Sequence, residues 1–519
     1  EKASNMAAIV TDQFRILNAN NFVETVESPA NSYYVFLGLT NPSTVGFGRT
    51  NNWDDNIPNP TDSIDIVNHT ADTMMFGKKV GAANIRRLIR RTNWIQGTRY
   101  EMYRHDYSGT NPAPITQATR LYDANYYVMN KNYNVYVCID NGSSGITTTG
   151  NASQDEPLFT DLEPSAAGSS GDGYLWKYLF TVSPSDIIKF DSTEYITVPN
   201  QWATSTESQI QSVRDNADSS VNNNQIKKIY IDNQGSGYSG GLGQEFDIVG
   251  DGTGGKVVLD VVSGKITKAI VSSGGKGYTW GFVDLGRINS TASVSAKLIP
   301  IIPPTKGHGY DIYKELGTDK ILIYARFDDK DKDFPIDTKF SQIGIVKNPT
   351  VAGSATTFID NQFSSLNSIK FSSITGTAPV AGNLITQVQA GGIAKGYVAS
   401  YDSETLVVKY YQDRNLYYNS TSHDQTDYVG VSTSGKVIPF ESSASQVNFP
   451  SGNGAIDTNF NVGITTVNNK VISLGVNFAN GLASPEINKG SGEIIYLDNR
   501  ASIARNTRQK EDVKIILEF

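Results

Sequence analysis

The sequence predicts a mainly β, multidomain protein: a β-sandwich-like core with inserted β modules and a few short helices. Three observations predict it. The 519 residues include 47 glycines and 27 tyrosines amid abundant Asn, Ser and Thr, a composition suited to many short strands joined by turns. Runs such as "NVYVCID" (134–140) and "YLWKYLFTV" (174–182) are apolar, short and bounded by Gly, Asn or Pro, as strands are. Finally, the chain carries a tandem duplication. At a displacement of 40 positions "IKKIYIDNQGSGYS" from Ile226 lines up with "ITKAIVSSGGKGYT" from Ile266, and "TGGKVVLDVV" from Thr253 with "SVSAKLIPII" from Ser293. Each copy reads as strand, G-x-G-Y turn, strand, glycine-rich turn, strand.

The elements follow in order. A first helix is expected in "SNMAAIVTDQFRILNANNF", with Ser4 as cap and Met6, Ile9, Val10, Phe14 and Leu17 near helical spacing. "SYYVFLGLT" (32–40) is a strand. "ANIRRLIRR" (83–91) is ambiguous: wound as a helix it would place Ile85, Leu88 and Ile89 on one face and Arg86, Arg87, Arg90 and Arg91 on the other. Tyr174, Trp176 and Tyr178 alternate with Leu175, Lys177 and Leu179, an aromatic stripe expected to pack in a core. Thr204 and Glu207 have the spacing of a capping box before Ile210 and Val213, and "DNADSSVNNNQ" (215–225) reads as a linker. "TDKILIYARFDDKDKDFP" gives a strand and a charged turn, 350–488 reads as a second β region, and "EDVKIILEF" alternates Val513, Ile515, Leu517 and Phe519 onto one face.

The expected organisation is therefore an N-terminal β domain (1–221), the duplicated Gly-rich module (222–305), a continuation of the core (306–349), a second inserted β region (350–488) and a C-terminal core strand segment (489–519).

The chain carries no segment with the full pattern of a catalytic, cofactor or metal site. Gly235, Gly237 and Gly240 match G-x-G-x-x-G, as do Gly250, Gly252 and Gly255. That motif cradles a pyrophosphate only where a helix follows, and here strands follow. The glycines are read instead as positive-φ turn positions, with Tyr238 and Tyr278 covering the turns. His69, His105, His308 and His423 are scattered, and Cys138 stands alone in a strand pattern as a buried thiol. Asp329, Asp331 and Asp333 imitate a calcium loop, but Phe334 replaces its glycine and Phe340 its bidentate glutamate. No catalytic residue, cofactor or metal ligand is expected. The formal net charge of -8, without a basic block, argues against nucleic acid, and no apolar run approaches a bilayer span.

Several stretches read together resemble the baseplate wedge subunit of contractile-tailed bacteriophages. They are "AIVTDQFRILNANNF" (8–22), "NPTDS" (59–63), "RRTNWIQGTRY" (90–100), "VYVCID" (135–140), "GDGYLWKYLFTVSPSD" with "TEYITVP" (171–199), "SQIGIVKNP" (341–349) and the stretch from "SGEIIYLDNRASI" to the end (491–519). The resemblance implies a non-enzymatic homodimer that bridges other wedge proteins, located in the virion tail baseplate and assembled in the host cytoplasm. It leaves the duplicated module and the 350–488 region without a counterpart. Candidate interface residues are Arg90, Arg91 and Trp94, which carry the Arg and Trp chemistry of interface anchors. Two alternatives are a carbohydrate-binding tail or adhesin protein, suggested by the Gly-rich and Tyr-rich insertions, and a polysaccharide-cleaving tail enzyme.

Overall fold

Strands gathered into several sheets make up most of the regular structure, with five short α-helices among the described residues. The computed structural model describes residues 9–39, 53–286, 288, 293–328, 334, 338–390, 392–412, 437–443, 446–504 and 509–519. The chain divides into two compact units. One comprises Glu1–Val23, Arg86–Leu322 and Ile516–Phe519, the other Glu24–Ile85 and Ile323–Ile515.

The first unit is built around aromatic rings. Strands Tyr127–Met129, Asn134–Asn141 and Tyr174–Thr181 form an antiparallel sheet in which Tyr136 faces Tyr178 and Cys138 faces Trp176. The stripe Tyr174, Trp176 and Tyr178 is wholly buried. Tyr174 and Trp176 stack at 5.3 Å, and Tyr100 meets Trp176 edge-on at 5.8 Å. Cys138 is a buried free thiol whose pKa burial pushes well up.

The opposite face of this strand is covered too, so Lys177 is buried, and its ammonium donates to the Leu162 carbonyl and to Asn216 Oδ1 at 3.0 Å. Burial lowers the Lys177 pKa to about 8. The unfolded chain, with a lysine pKa of about 10.4, binds more protons between those values, so this group makes stability rise with pH across that window. Urea unfolding from pH 7 to 10 should show wild type gaining about 1 to 2 kcal/mol relative to Lys177→Met. A pH-independent difference would refute it.

The structure departs from the sequence expectation at the first helix, at the Thr204 capping box and at the 215–225 linker, and it resolves the arginine-rich run. The first helix is Asp12–Glu27, and Thr11 Oγ1 accepts from Phe14 N at 3.3 Å, so the cap is Thr11. Ser4 and Met6 lie outside the described residues, and Ile9 and Val10 precede the helix. Ile16, Ala19 and Val23 form the buried face, whereas Phe14 and Leu17 are each 52% exposed. The helix therefore carries a second apolar stripe facing water.

The arginine-rich run is a strand, Ile85–Arg90, with Arg87 opposite Val198 and Arg90 opposite Tyr195. Thr204 does not begin the helix Ser208–Ala217, and Glu207 occupies its N-cap without a side-chain bond. Burial of Trp202, whose indole donates to the Gly309 and Tyr310 carbonyls, draws Trp202–Thr204 into a 3-10 turn. In place of a loose linker at 215–225, Asn216 and Asn222 both donate to Glu163 Oε1.

The duplicated segment forms a strand-exchanged pair. The first strands of the copies are Ile229–Asn233 and Lys265–Lys276, the second Gln244–Gly250 and Gly281–Val283, the third Thr253–Val262 and Lys297–Pro300. Each first strand pairs with the third strand of the other copy, and the two second strands pair together.

The reciprocity extends to single bonds. Ile266 N donates to Gln234 O at 3.1 Å, as Ile226 N does to Gly274 O at 3.0 Å. Tyr238 OH accepts from Ala296 N at 2.6 Å, as Tyr278 OH does from Gly255 N at 3.0 Å. Gly235 and Gly275 have φ of 64° and 58°, Gly237 and Gly277 of 82° and 76°.

The 40-residue displacement does not hold over the whole repeat. It holds for the first strands, but the third strands correspond as Lys256 to Lys297, because Asn233 pairs Lys297 where Ser273 pairs Lys256. One extra residue lies between. Since Gly237 holds positive φ, Gly237→Val should cost roughly 1 to 3 kcal/mol of strain, checked by thermal unfolding against Ser236→Val, the neighbour without positive φ.

The module has its own apolar cluster, including Ile226, Ile231, Phe246, Val257, Leu259 and Ile266. Its ribbon Ile229–Asn233 with Lys297–Pro300 is a shared wall, however. Ile229 and Ile231 join that cluster, while Tyr230 and Ile301 join the aromatic core.

In the second unit, strands Gln362–Ser364, Met74–Val80, Tyr33–Gly38, Lys339–Lys347 and Glu493–Ala504 form a five-stranded sheet in that order. Between its fourth and fifth strands in space the chain runs through 350–488. Six strands there, Val407–Tyr411, Gly392–Asp402, Leu384–Gln389, Val447–Phe449, Gly452–Ile456 and Asn367–Gly376, pair in that order. The last also pairs the first and closes a barrel. Ile369, Phe371, Ile385, Val398, Val408 and Val447 fill it. Closure removes the free edges that would otherwise invite aggregation. Asp329, Asp331, Asp333 and His423 lie outside the described residues.

Candidate interaction site

The arginine run shows what its side chains are for. A strand sends them in alternate directions, and each finds partners within the first unit. Arg86 binds Asp186 through Nε at 3.0 Å to both carboxylate oxygens, with its guanidinium over the Phe190 ring. Arg87 is buried, lies 4.2 Å above the Tyr313 ring and donates to Asn20 Oδ1 and Asn200 Oδ1 at 2.6 and 3.1 Å. Arg91 donates to Asp191 Oδ1 at 2.8 Å and to the Ser192 carbonyl at 2.7 Å. These three staple the strand to its neighbours.

Arg90 differs. It is exposed, and its Nη2 is held by the carbonyls of Asp123 and Ala124 and by Asn125 Oδ1 at 2.8 to 3.2 Å. Among the described residues its Nε and Nη1 donate to no protein acceptor.

Arg90 and Arg91 line a cleft of about 410 Å³ together with Leu88, Arg120, Tyr122, Tyr195 and Lys320. Its charges are largely matched: Arg120 meets Asp12 and Asp123 at 3.1 and 3.5 Å, and Lys320 meets Asp319 and Glu518 at 3.0 and 2.9 Å. Burial raises the Tyr122 pKa to about 12, so its phenol stays protonated at neutral pH. Trp94 is not in the cleft. It is half-buried, packs against the aromatic core, and donates its indole N–H to Ser153 Oγ at 3.0 Å. The structure thus brings Arg90 and Arg91 together and sets Trp94 apart. Arg120, Tyr122, Tyr195 and Lys320 come from distant points of the sequence and carry no local signal.

Buried titratable groups elsewhere in this unit are closed off by structure. His308 Nδ1 lies 2.7 Å from Glu315 Oε1, and Glu315 Oε2 accepts from Gly309 N at 2.7 Å. Glu101 is fully buried and accepts from the amides of Ile115 and Thr116 at 2.7 and 2.8 Å. Among the described residues no group of three or more His, Cys, Asp or Glu is arranged to hold a metal ion.

No family model matches the chain. A curated relative does: the chain is 28% identical over 220 residues to the baseplate wedge protein gp8 of Enterobacteria phage T4, a match that takes in 37% of this chain and spans 60% of the length of that protein.

Proposed function

We propose that the chain is a structural component of the baseplate wedge in the tail of a contractile-tailed bacteriophage, carried in the virion and assembled in the host cytoplasm. On this reading it is a homodimeric scaffold that bridges other wedge proteins and catalyses no reaction. The observation that carries the reading is the similarity to the T4 baseplate wedge protein gp8 over 220 residues. Two structural features support it. Buried ionisable groups such as Glu101, Glu315 and Lys177 are engaged in holding loops and strands. The first helix also turns Phe14 and Leu17 to water, an apolar exposure of the kind that assembly covers.

Arg90, Arg91 and Trp94 remain the proposed contacts, with Arg90 the one whose guanidinium has donors to spare. Permanent interfaces of this class bury about 2,000 Å² or more around an apolar centre, so the dimer should tolerate salt. Light scattering across dilution and in high salt is expected to report twice the 56.4 kDa chain mass throughout. A monomer at high concentration, with single copies in a baseplate reconstruction, would overturn the dimer. Hydrolysis of a polysaccharide that one carboxylate substitution abolishes would overturn the non-enzymatic reading.

A further inference from the structure

The duplication supplies an internal control for deciding which residues of the module its fold requires. Both copies make the same G-x-G-Y turn, with matching glycine φ values and matching tyrosine hydroxyl bonds. Two and four residues beyond the turn tyrosine the first copy has Gly240 and Leu242, whereas the second has Trp280 and Phe282. Neither ring is part of that turn: Gly281–Val283 is a strand, whereas the first copy has no strand at 241–243 and holds Gly240 at a φ of 147°, so the two rings mark a point where the copies diverge.

Nor does packing account for them. Trp280 is 55% and Phe282 49% exposed, and their rings lie within 17° of parallel at 6.4 Å. Val249, directly opposite Phe282 on the neighbouring strand, is 40% exposed and extends the apolar surface.

The charges beside this surface are acidic. Asp251 accepts from the backbone N–H of Trp280 itself at 3.2 Å and of Thr279 at 2.9 Å, and from the Thr279 hydroxyl. Those bonds hold its carboxyl below the usual range, so it is ionised at neutral pH. Asp247 precedes Val249 by two residues, hence on the same strand face, and Asp284 follows Phe282 by two. Lys256 lies directly opposite Asp247 on the neighbouring strand and 3.0 Å from Glu245, so it offsets part of this acidic charge and leaves carboxylates in excess among the described residues.

We infer that Trp280, Phe282 and Val249, edged by Asp247, Asp251 and Asp284, form a docking surface for a basic segment of another protein, whose Arg or Lys side chain lies over the Trp280 ring. An indole face attracts a cation through its quadrupole, and carboxylates at its rim add to the attraction. The same carboxylates repel acidic partners. This inference goes beyond the wedge reading and does not depend on it.

The test is calorimetric titration of the full chain with acetyl-Gly-Arg-Lys-Arg-Gly-amide, its Glu/Asp counterpart and the neutral sugar maltotetraose. The decisive variant is W280G/F282L, which gives the second copy the residues of the first and should melt like wild type. The basic peptide should bind and the acidic one should not. Affinity should fall about tenfold in W280G/F282L, and also in D247N/D284N and in high salt. Equal binding of both peptides, binding of neither, or unchanged affinity in W280G/F282L would overturn the inference. So would maltotetraose binding that W280G/F282L abolishes, which would make the surface a glycan site.

Discussion

Replacing Lys228 by alanine is expected to destabilise the protein by about 3 kcal/mol, the lower end of the range for breaking a buried ion pair. Lys228 Nζ lies 2.6 Å from both carboxylate oxygens of Asp140 and 3.0 Å from the Ser143 carbonyl. It ties the duplicated module to the aromatic sheet, alongside the bonds from Gly145 N to the Thr267 carbonyl and from the Tyr230 hydroxyl to the Thr148 carbonyl. Burial pushes the Asp140 carboxyl up against the pull of that ammonium, so removing the ammonium leaves a carboxylate without its counter-charge. The lower end of the range applies because the Asp140 side chain retains 19% exposure, enough for water to relieve part of the cost. Asp140→Asn combined with Lys228→Ala should recover at least half of the loss, since the amide still accepts from Gly142 N. Urea unfolding of the four proteins in a double-mutant cycle measures this. A loss below about 1 kcal/mol in Lys228→Ala would show that the pair contributes little, as surface pairs do.

Neither Lys228 nor Asp140 was visible as a pair in the sequence, 88 residues apart, and the same limit explains most of what sequence reading missed. Strands with one clear period were legible: Asn134–Asn141, Tyr174–Thr181 and Glu511–Glu518 lie where alternation or a bounded apolar run placed them. The mainly β fold class, the buried aromatic stripe and the solitary buried Cys138 were legible for the same reason. The run at Ile85–Arg90 was not, because Arg86 is paired with Asp186 and the buried Arg87 is hydrogen-bonded to asparagines, all brought from elsewhere in the chain. A sequence window cannot show that compensation.

The first helix was anticipated, but it begins at Asp12 and not after Ser4, and its buried face is Ile16, Ala19 and Val23 in place of Phe14 and Leu17. Both of its faces are apolar, and which one is buried depends on packing that periodicity does not encode. The barrel within 350–488 was legible as strands but not as a barrel, since closure rests on pairing Asn367–Gly376 with Val407–Tyr411. The cleft was not legible: the sequence offered Arg90 and Arg91 only as interface candidates, and the fold brings Arg120, Tyr122 and Lys320 beside them from distant points of the chain.

Removing half of the duplicated module should damage the protein more than removing all of it. The copies are not two domains in series. Ile229–Asn233 of the first has its strand partner, Lys297–Pro300, in the second, and Lys265–Lys276 of the second has its partner, Thr253–Val262, in the first. A chain lacking 265–302 would keep the Ile229–Asn233 strand with an unpaired edge and Tyr238 without Ala296 N. It would also leave Phe246, Val257 and Leu259 uncovered on the side now closed by Ile266 and Tyr278. Unpaired edges and open apolar faces of this kind drive association.

Excision of 226–305 is different. Asn224 Oδ1 lies 2.6 Å from Lys306 N, so a two-glycine join can bridge the cut without straining what remains. The aromatic core then loses Tyr230 and Ile301, a real cost. Asp140, however, is released to water instead of being left buried and unpaired, which is why this large deletion should be gentler there than the Lys228→Ala substitution. We expect the fully excised chain to be soluble and to melt in a single transition at reduced Tm, and the half-deleted chain to aggregate or to lose its cooperative transition. Circular dichroism melting with size-exclusion chromatography distinguishes them. A half-deleted chain as stable as the fully excised one would mean that the copies fold independently, against the exchanged pairing.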